Sequence, residues 1–367
     1  MNVPLLDLKR QYAPIREQVR AALDAVLDEQ ALILGKTVET FERDLAAFCG
    51  SKYAIGVSSG TDALVATMMA LGIGPGDEVL CPAFTFFATA GSIARVGATP
   101  VFVDIDPATF NIDVEQAAKK VTSKTKAIAP VHLFGQMAPM AAIESLAKAH
   151  GLHIIEDAAQ AIGATQNGRL AGSIGVSGCL SFYPTKNLGA LGDAGAILTS
   201  DEAFYTKAKK VRVHGSGHTY YHEMIGGMFR MAALQAAGLS VKLPHACEWN
   251  AGRIRNAERY NRLLAGVPGV VTPIVAPGNL HIYHQYVVRV RDRDRVKDEL
   301  TKRGVGCAVF YPLGLHLQQC FAYLGHKPGD FPHTERATAE VLALPIFPEL
   351  RDDEIDYVAE QIRAVAR

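Results

Sequence analysis

The chain has 367 residues, 49% hydrophobic and 20% charged, which suits a soluble globular protein long enough for a large core and more than one domain. Its 37 Lys and Arg balance 37 Asp and Glu, so bulk charge gives no reason to favour nucleic acid or an anionic membrane. Six cysteines, at 49, 81, 179, 247, 307 and 320, include no C-x-x-C pair and no His at finger spacing, which argues against a disulfide framework and against a metal site.

Asp7, Lys9 and Arg10 interrupt the apolar core that a signal peptide needs, and no apolar run is long enough to span a bilayer. A reduced, cytoplasmic protein is expected. The first 50 or so residues read as helical arm segments flanking Ile33-Leu34-Gly35. From about 54 to 200, short apolar runs at 79–81, 100–103, 127–131, 153–155 and 195–198 read as buried strands, with helical patterns at 62–72, 86–96 and 138–150. This alternation predicts an α/β fold with a mostly parallel central sheet flanked by helices. Ligands of such sheets gather at the carboxyl ends of the strands.

Residues 202–213 and 230–265 read as helical, with Pro244 as a break. Beyond about 280 the pattern becomes strand at 283–290, helix at 292–303, strand at 306–311, then helices at 334–342 and 352–366. The expected division is a large domain with an N-terminal arm over 1–245 and a smaller α+β domain over 246–367.

Four segments carry chemistry. In Ser58-Ser59-Gly60-Thr61-Asp62, small residues open a helix whose free N–H groups and dipole suit a phosphate; the same residues also make an ordinary N-cap. Asp157 falls at the end of a strand, where a carboxylate can pair with a protonated ring nitrogen, as in pyridoxal-phosphate (PLP) enzymes, or cap the next helix. Gln160 stands in reach of a ring hydroxyl. Lys186 is the only lysine between Lys148 and Lys207 and lies in a glycine-containing stretch after Ser181. A Schiff-base lysine must be neutral to attack, and burial favours the neutral amine; the alternative is an exposed loop lysine. In Pro82 to Thr89 an aromatic could stack on a cofactor, but Phe84 and Phe87 are expected in the core.

These segments, in this order, resemble the DegT/DnrJ/StrS sugar aminotransferases, which have the fold-type-I PLP transferase architecture. The resemblance runs from Pro4-Leu5-Leu6-Asp7-Leu8 through Gly60-Thr61-Asp62, Phe84-Thr85-Phe86, Glu156-Asp157-Ala158-Ala159-Gln160 and Ser181 to Asp193, and on to Tyr283-His284-Gln285-Tyr286 and His316-Leu317-Gln318. It implies Lys186 as the Schiff-base lysine and proton shuttle, and Asp157 as partner of the pyridine nitrogen. It further implies Gln160 on the ring oxygen, Ser181, Gly60 and Thr61 on the phosphate, and Phe86 over the ring. Glutamate would donate the amino group to a nucleotide-linked keto-sugar of the 3- or 4-keto-6-deoxyhexose type, in a homodimer with shared active sites. His132, Arg230, His284, Tyr286 and His316 are candidate substrate-binding residues, each with a structural alternative. No metal is implied.

One departure stands out. Met228 occupies the place where an Asn of the partner subunit normally meets the PLP phosphate, and methionine offers no donor. Three other functions compete with transamination. A related branch removes a hydroxyl and carries His in place of the lysine, whereas position 186 is Lys. A nicotinamide-dependent sugar dehydrogenase would need a complete G-x-G-x-x-G after a strand, which Gly72-Ile73-Gly74-Pro75-Gly76 does not supply. A PLP-binding regulator without turnover draws its support from Met228.

Overall fold

The computed structural model describes residues 1–366. A seven-stranded sheet lies at its centre, built from β1 (Tyr53–Val57), β2 (Glu78–Pro82), β3 (Thr99–Val103), β4 (Thr125–Ile128), β5 (His153–Asp157), β6 (Ser177–Ser181) and β7 (Gly195–Thr199). Their order across the sheet is β1-β7-β6-β5-β4-β2-β3. Neighbours run parallel except β7, which is antiparallel to both β1 and β6.

Alternate residues of the strands feed opposite cores, as a two-residue side-chain period requires. Leu80, Ile128, Ile154, Leu180 and Leu198 join one cluster with the helix α3 (Met140–His150) and the N-terminal helices Arg16–Glu29 and Gly35–Phe48. Ile55, Val79, Cys81, Ile155, Cys179 and Ile197 join the other, with α1 (Gly60–Leu71) and α2 (Ala88–Arg95). A sheet covered on both faces explains why its strands read as nearly continuous apolar runs. β6 was hidden in the sequence because Ser-Gly-Cys-Leu-Ser lacks β-branched residues. Gly178 is nevertheless required there: a Cβ would lie 2.2 Å from the carbonyl oxygen of Gly172.

The expected helix over 230–265 is two, Ala233–Lys242 and Ala246–Leu264, separated by a 3-10 turn at Leu243–His245 that contains Pro244. C-terminal to these, β8 (Tyr286–Val290) pairs antiparallel with β9 (Val341–Leu344) and with Val270–Val271. Tyr260, Val288, Leu300, Leu342, Ile355 and Ile362 build a third core, into which Val3 from the chain's start also packs. The strand expected at 306–311 is reduced to one bridge, Ala308 to Ala343. Gly306 instead donates its N–H to Val3, and a Cβ there would meet Leu5 N at 2.5 Å. The helix expected over 334–342 spans Pro332–Glu340 and gives way to β9.

No described helix is long and apolar enough to cross a membrane. Among the described residues, no group of three or more His, Cys, Asp or Glu could hold a metal ion.

Candidate active site

A cavity of about 680 Å³ opens beyond the carboxyl ends of β1, β2, β5 and β6. Gly60, Thr61, Phe86, Asp157, Gln160, Ser181 and Lys186 all line it. The topology brings these together because each lies at or soon after the carboxyl end of a strand of the same sheet, so residues up to 126 positions apart in sequence converge on one edge.

At one end of the cavity α1 begins. Ser59 caps it, its hydroxyl accepting from the N–H of Asp62 at 3.0 Å, so the capping reading is realised. The cap and the phosphate reading are compatible, since the first turn still presents N–H groups that have no partner within the helix. Ser181 closes this corner. A Cβ on Gly60 would lie 2.6 Å from the Ser181 Cβ, and one on Gly195 would lie 2.4 Å from the Ser59 carbonyl carbon. Glycine at both positions lets β6 and β7 approach the start of α1 closely enough to form a small polar cradle.

Asp157 sits deeper and is 5% exposed. Its Oδ2 accepts from Thr89 Oγ1 at 2.7 Å and its Oδ1 from the N–H of Ala159 at 3.2 Å. Burial pushes Asp157 above the usual carboxylate range, although these donors and the charge of Lys186 pull the other way. A buried acid in this condition is suited to a cationic ring nitrogen, which would repay its desolvation. Gln160 is held at both ends: its Oε1 accepts from the Phe134 N–H at 2.7 Å, and its Nε2 donates to Tyr311 Oη at 3.0 Å.

Lys186 keeps part of its surface open to the cavity. The surrounding protein still desolvates its ammonium enough to lower its pKa to about 8, against the attraction of Asp157. The loop that carries it is tied down by Lys242, whose Nζ donates to the Gly189 carbonyl at 2.7 Å. Phe86 is 55% exposed at the cavity wall, its ring 6.2 Å from that of Tyr311. Phe84 is buried as expected, but Phe87 is 47% exposed and rests on Phe321, because α2 starts immediately after it and turns it outward.

These residues fit PLP. The Gly60–Ser181 cradle matches a phosphate, the buried Asp157 matches a ring N–H, and Thr85 in the same wall has a buried hydroxyl without a partner.

Of the five candidate substrate residues, only His284 lines the cavity. His132 is fully buried behind it, with Nε2 on Glu156 at 2.9 Å and Nδ1 accepting from the Ala138 N–H, so both ring nitrogens are used structurally. Tyr286 belongs to the C-terminal core, where it stacks on Tyr260 and donates to Asn261 at 2.7 Å. His316 is packed against Phe331 with Nε2 on Glu335 at 3.1 Å. Arg230 pairs its main chain with Val57 and does not line the cavity. Met228 is 65% exposed and lines a separate groove with Ile225 and Met69.

Three residues, Thr89, Tyr311 and Asn187, gain a role only in the fold. Thr89 is the second residue of the helix after β2 and ends a segment that the sequence already marks. Tyr311 and Asn187 act through partners more than 60 residues away in the chain, which no local pattern reveals.

Known proteins resemble this chain over nearly its whole length. A protein called pleiotropic regulatory protein, from Geobacillus stearothermophilus, is 51% identical over 99% of this chain and 98% of its own. A UDP-N-acetyl-3-dehydro-alpha-D-glucosamine 3-aminotransferase from Acidithiobacillus ferrooxidans is 42% identical over 98% of this chain and 97% of its own. The crystal structure of NtdA from Bacillus subtilis, with bound cofactor PMP, superposes with a TM-score of 0.93 at 34% identity, covering 100% of this chain and 85% of that one. The model of one family matches residues 14–363, which takes in the cavity, both large cores and the C-terminal sheet: the chain belongs to the DegT/DnrJ/EryC1/StrS aminotransferase family.

Proposed function

We propose that this protein is a PLP-dependent aminotransferase that moves the amino group of glutamate to a nucleotide-linked keto-sugar, of the 3- or 4-keto-6-deoxyhexose type, in two alternating half-reactions. The observation that carries the reading is Lys186, with its pKa lowered to about 8, in one cavity with the buried Asp157 and the Gly60–Ser181 cradle. Bound there, PLP supplies an aldehyde and an electron-withdrawing ring that stabilises negative charge on a substrate carbon.

The chain's own residues do the rest. Gly60, Thr61 and Ser181 hold the phosphate, and Asp157 holds a proton on the ring nitrogen. Gln160, fixed by Phe134 and Tyr311, orients the ring oxygen. Phe86 covers the ring face. Lys186 Nζ, partly neutral near neutral pH because of its lowered pKa, would take the proton from the substrate carbon that bears the amino group. The sugar acceptor is supported by the A. ferrooxidans relative's name. The same reading includes a homodimer with shared sites and a division into a large domain over 1–245 and a smaller one over 246–367.

A second reading is a PLP-binding regulator without turnover, favoured by the name of the G. stearothermophilus relative. One experiment separates them. Purified protein loaded with PLP should show a visible band that borohydride removes and that glutamate bleaches, with 2-oxoglutarate formed. A panel of nucleotide keto-sugars should then restore the band. A band indifferent to every amino donor favours the regulator, and absence of any borohydride-sensitive band overturns both.

A further inference from the structure

Beside Lys186, a chain of side-chain amides ends in a histidine. Asn250 Nδ2 donates to the Ile162 carbonyl at 2.9 Å, Asn187 Nδ2 donates to Asn250 Oδ1 at 2.8 Å, and Asn187 Oδ1 faces His284 Nδ1 at 3.1 Å. The oxygen and nitrogen of an amide are usually hard to tell apart, but here chemistry orients them. The Ile162 carbonyl can only accept, so Asn250 must turn its nitrogen towards it and its oxygen towards Asn187. The carbonyl of Ile282, 3.4 Å from Asn187 Nδ2, independently demands the same orientation. Asn187 is left with only an oxygen to offer His284, so His284 Nδ1 carries the proton.

The whole relay is buried, with Asn187 4%, Asn250 6% and His284 5% exposed. A Cβ on Gly163 would lie 2.7 Å from Asn250 Nδ2, so the glycine is what leaves the amide its place. Burial holds His284 well below the usual histidine range. The two charged groups that face it, Lys186 and Arg253, oppose imidazolium further. A neutral ring protonated on Nδ1 has a lone pair on Nε2. Within the described chain Nε2 has no hydrogen-bond partner, and His284 lines the cavity.

The geometry points to His284 as a fixed hydrogen-bond acceptor in the cavity wall, locked by the positioning residues Asn187 and Asn250, that takes a hydroxyl of the bound sugar at Nε2. This rests on the keto-sugar reading above. A phosphate and the carboxylates of glutamate present acceptors to the wall and the one donor of glutamate is the amino group that reacts beside Lys186, whereas a sugar presents several hydroxyls. The relay therefore bears mainly on the sugar half-reaction.

Two measurements test it. In protein without coenzyme or substrate, nitrogen-15 NMR of the histidine rings, with His284→Gln for assignment, should show His284 Nε2 unprotonated from about pH 6 to 8. A proton on Nε2 overturns the lock. In the holoenzyme, His284→Phe should raise KM for the keto-sugar about tenfold, with a much smaller change in glutamate bleaching and in the glutamate KM. His284→Gln, which can turn an oxygen to the cavity, should recover part of that loss. Equal rises in both KM values, or no difference between the Phe and Gln variants, overturn the proposal. Asn187→Asp should make the sugar KM rise as pH falls, because a carboxylate partner favours imidazolium and converts Nε2 to a donor. Should that variant not fold, the two His284 variants decide alone. A locked ring in a protein that aminates no keto-sugar overturns the function reading and the sugar contact together, and leaves the lock standing.

Discussion

Thr89 Oγ1 donates to Asp157 Oδ2 at 2.7 Å, joining the helix after β2 to the end of β5 at the floor of the cavity. The hydroxyl orients the carboxylate and opposes the upward push that burial exerts on its pKa. Thr89→Val keeps the shape and removes the donor. A hydrogen bond to a charged group contributes about 1.5–3 kcal/mol, and about 1.4 kcal/mol is a tenfold change in rate. The variant should retain its fold and lose roughly tenfold or more in kcat, read by steady-state turnover alongside circular dichroism.

Coenzyme capture should depend on pH through Lys186. Only the neutral amine attacks an aldehyde, and its pKa is about 8. Below that value the neutral fraction falls about tenfold per pH unit. The rate of PLP recombination with the coenzyme-free protein should thus rise with pH and level off above about 8, followed by the growth of the visible band. Lys186→Ala should abolish catalysis and remove the borohydride-sensitive band. Multiple turnovers by that variant would take Lys186 out of the mechanism.

Met228 offers a gain-of-binding experiment. It is exposed on its own chain and has no donor. Where a relative's Asn would reach across to the phosphate, Met228→Asn should tighten PLP retention by about 1–3 kcal/mol, measured as a lower Kd in a coenzyme titration. Equal or weaker retention would show that the position does not meet the phosphate.

Glu156 should dominate acid stability near the sheet. It accepts from His132 at 2.9 Å and from the N–H groups of Gly172, Ile174 and Gly175 at 2.6–2.9 Å. Burial pushes its pKa up, but His132 and these N–H groups outweigh it and hold Glu156 below the ordinary carboxylate value. A carboxylate with a depressed pKa stabilises the fold above its unfolded value, and that stability is lost as pH falls through the folded one. Glu156→Ala should cost about 3–5 kcal/mol, since it strands buried partners, and should flatten the dependence of Tm on pH below about 4.5. An unchanged profile would assign acid stability elsewhere.

How much of this was legible in the residues depends on range. Five of the seven sheet strands and their flanking helices are legible as apolar runs, and Gly60 is legible as a helix start, Asp157 as a strand-end acid, and Lys186, with Ser181 before it, as a lysine in a glycine-containing stretch. The histidines and Tyr286 were not, because an aromatic amphipathic side chain looks the same in a motif whether it faces a cavity, as His284 does, or a core, as His132, Tyr286 and His316 do. The difference is made by partners such as Glu156, Asn261 and Glu335, which only the folded chain brings alongside. β6 escaped notice for a similar reason, as its glycine answers to the backbone of Gly172 and not to any local preference.

Glu156 and Asp157 are consecutive on β5, so the pleat sends one carboxylate to the loop around Gly172 and the other to the floor beside Thr89. A shift of β5 that moved Glu156 into the place of Asp157 would bring Ile155 to the loop, leaving its amides without their acceptor and the longer acid at the cavity floor. Misthreading at this strand would therefore be penalised twice, in folding and in chemistry, which leaves β5 little tolerance of insertion or deletion.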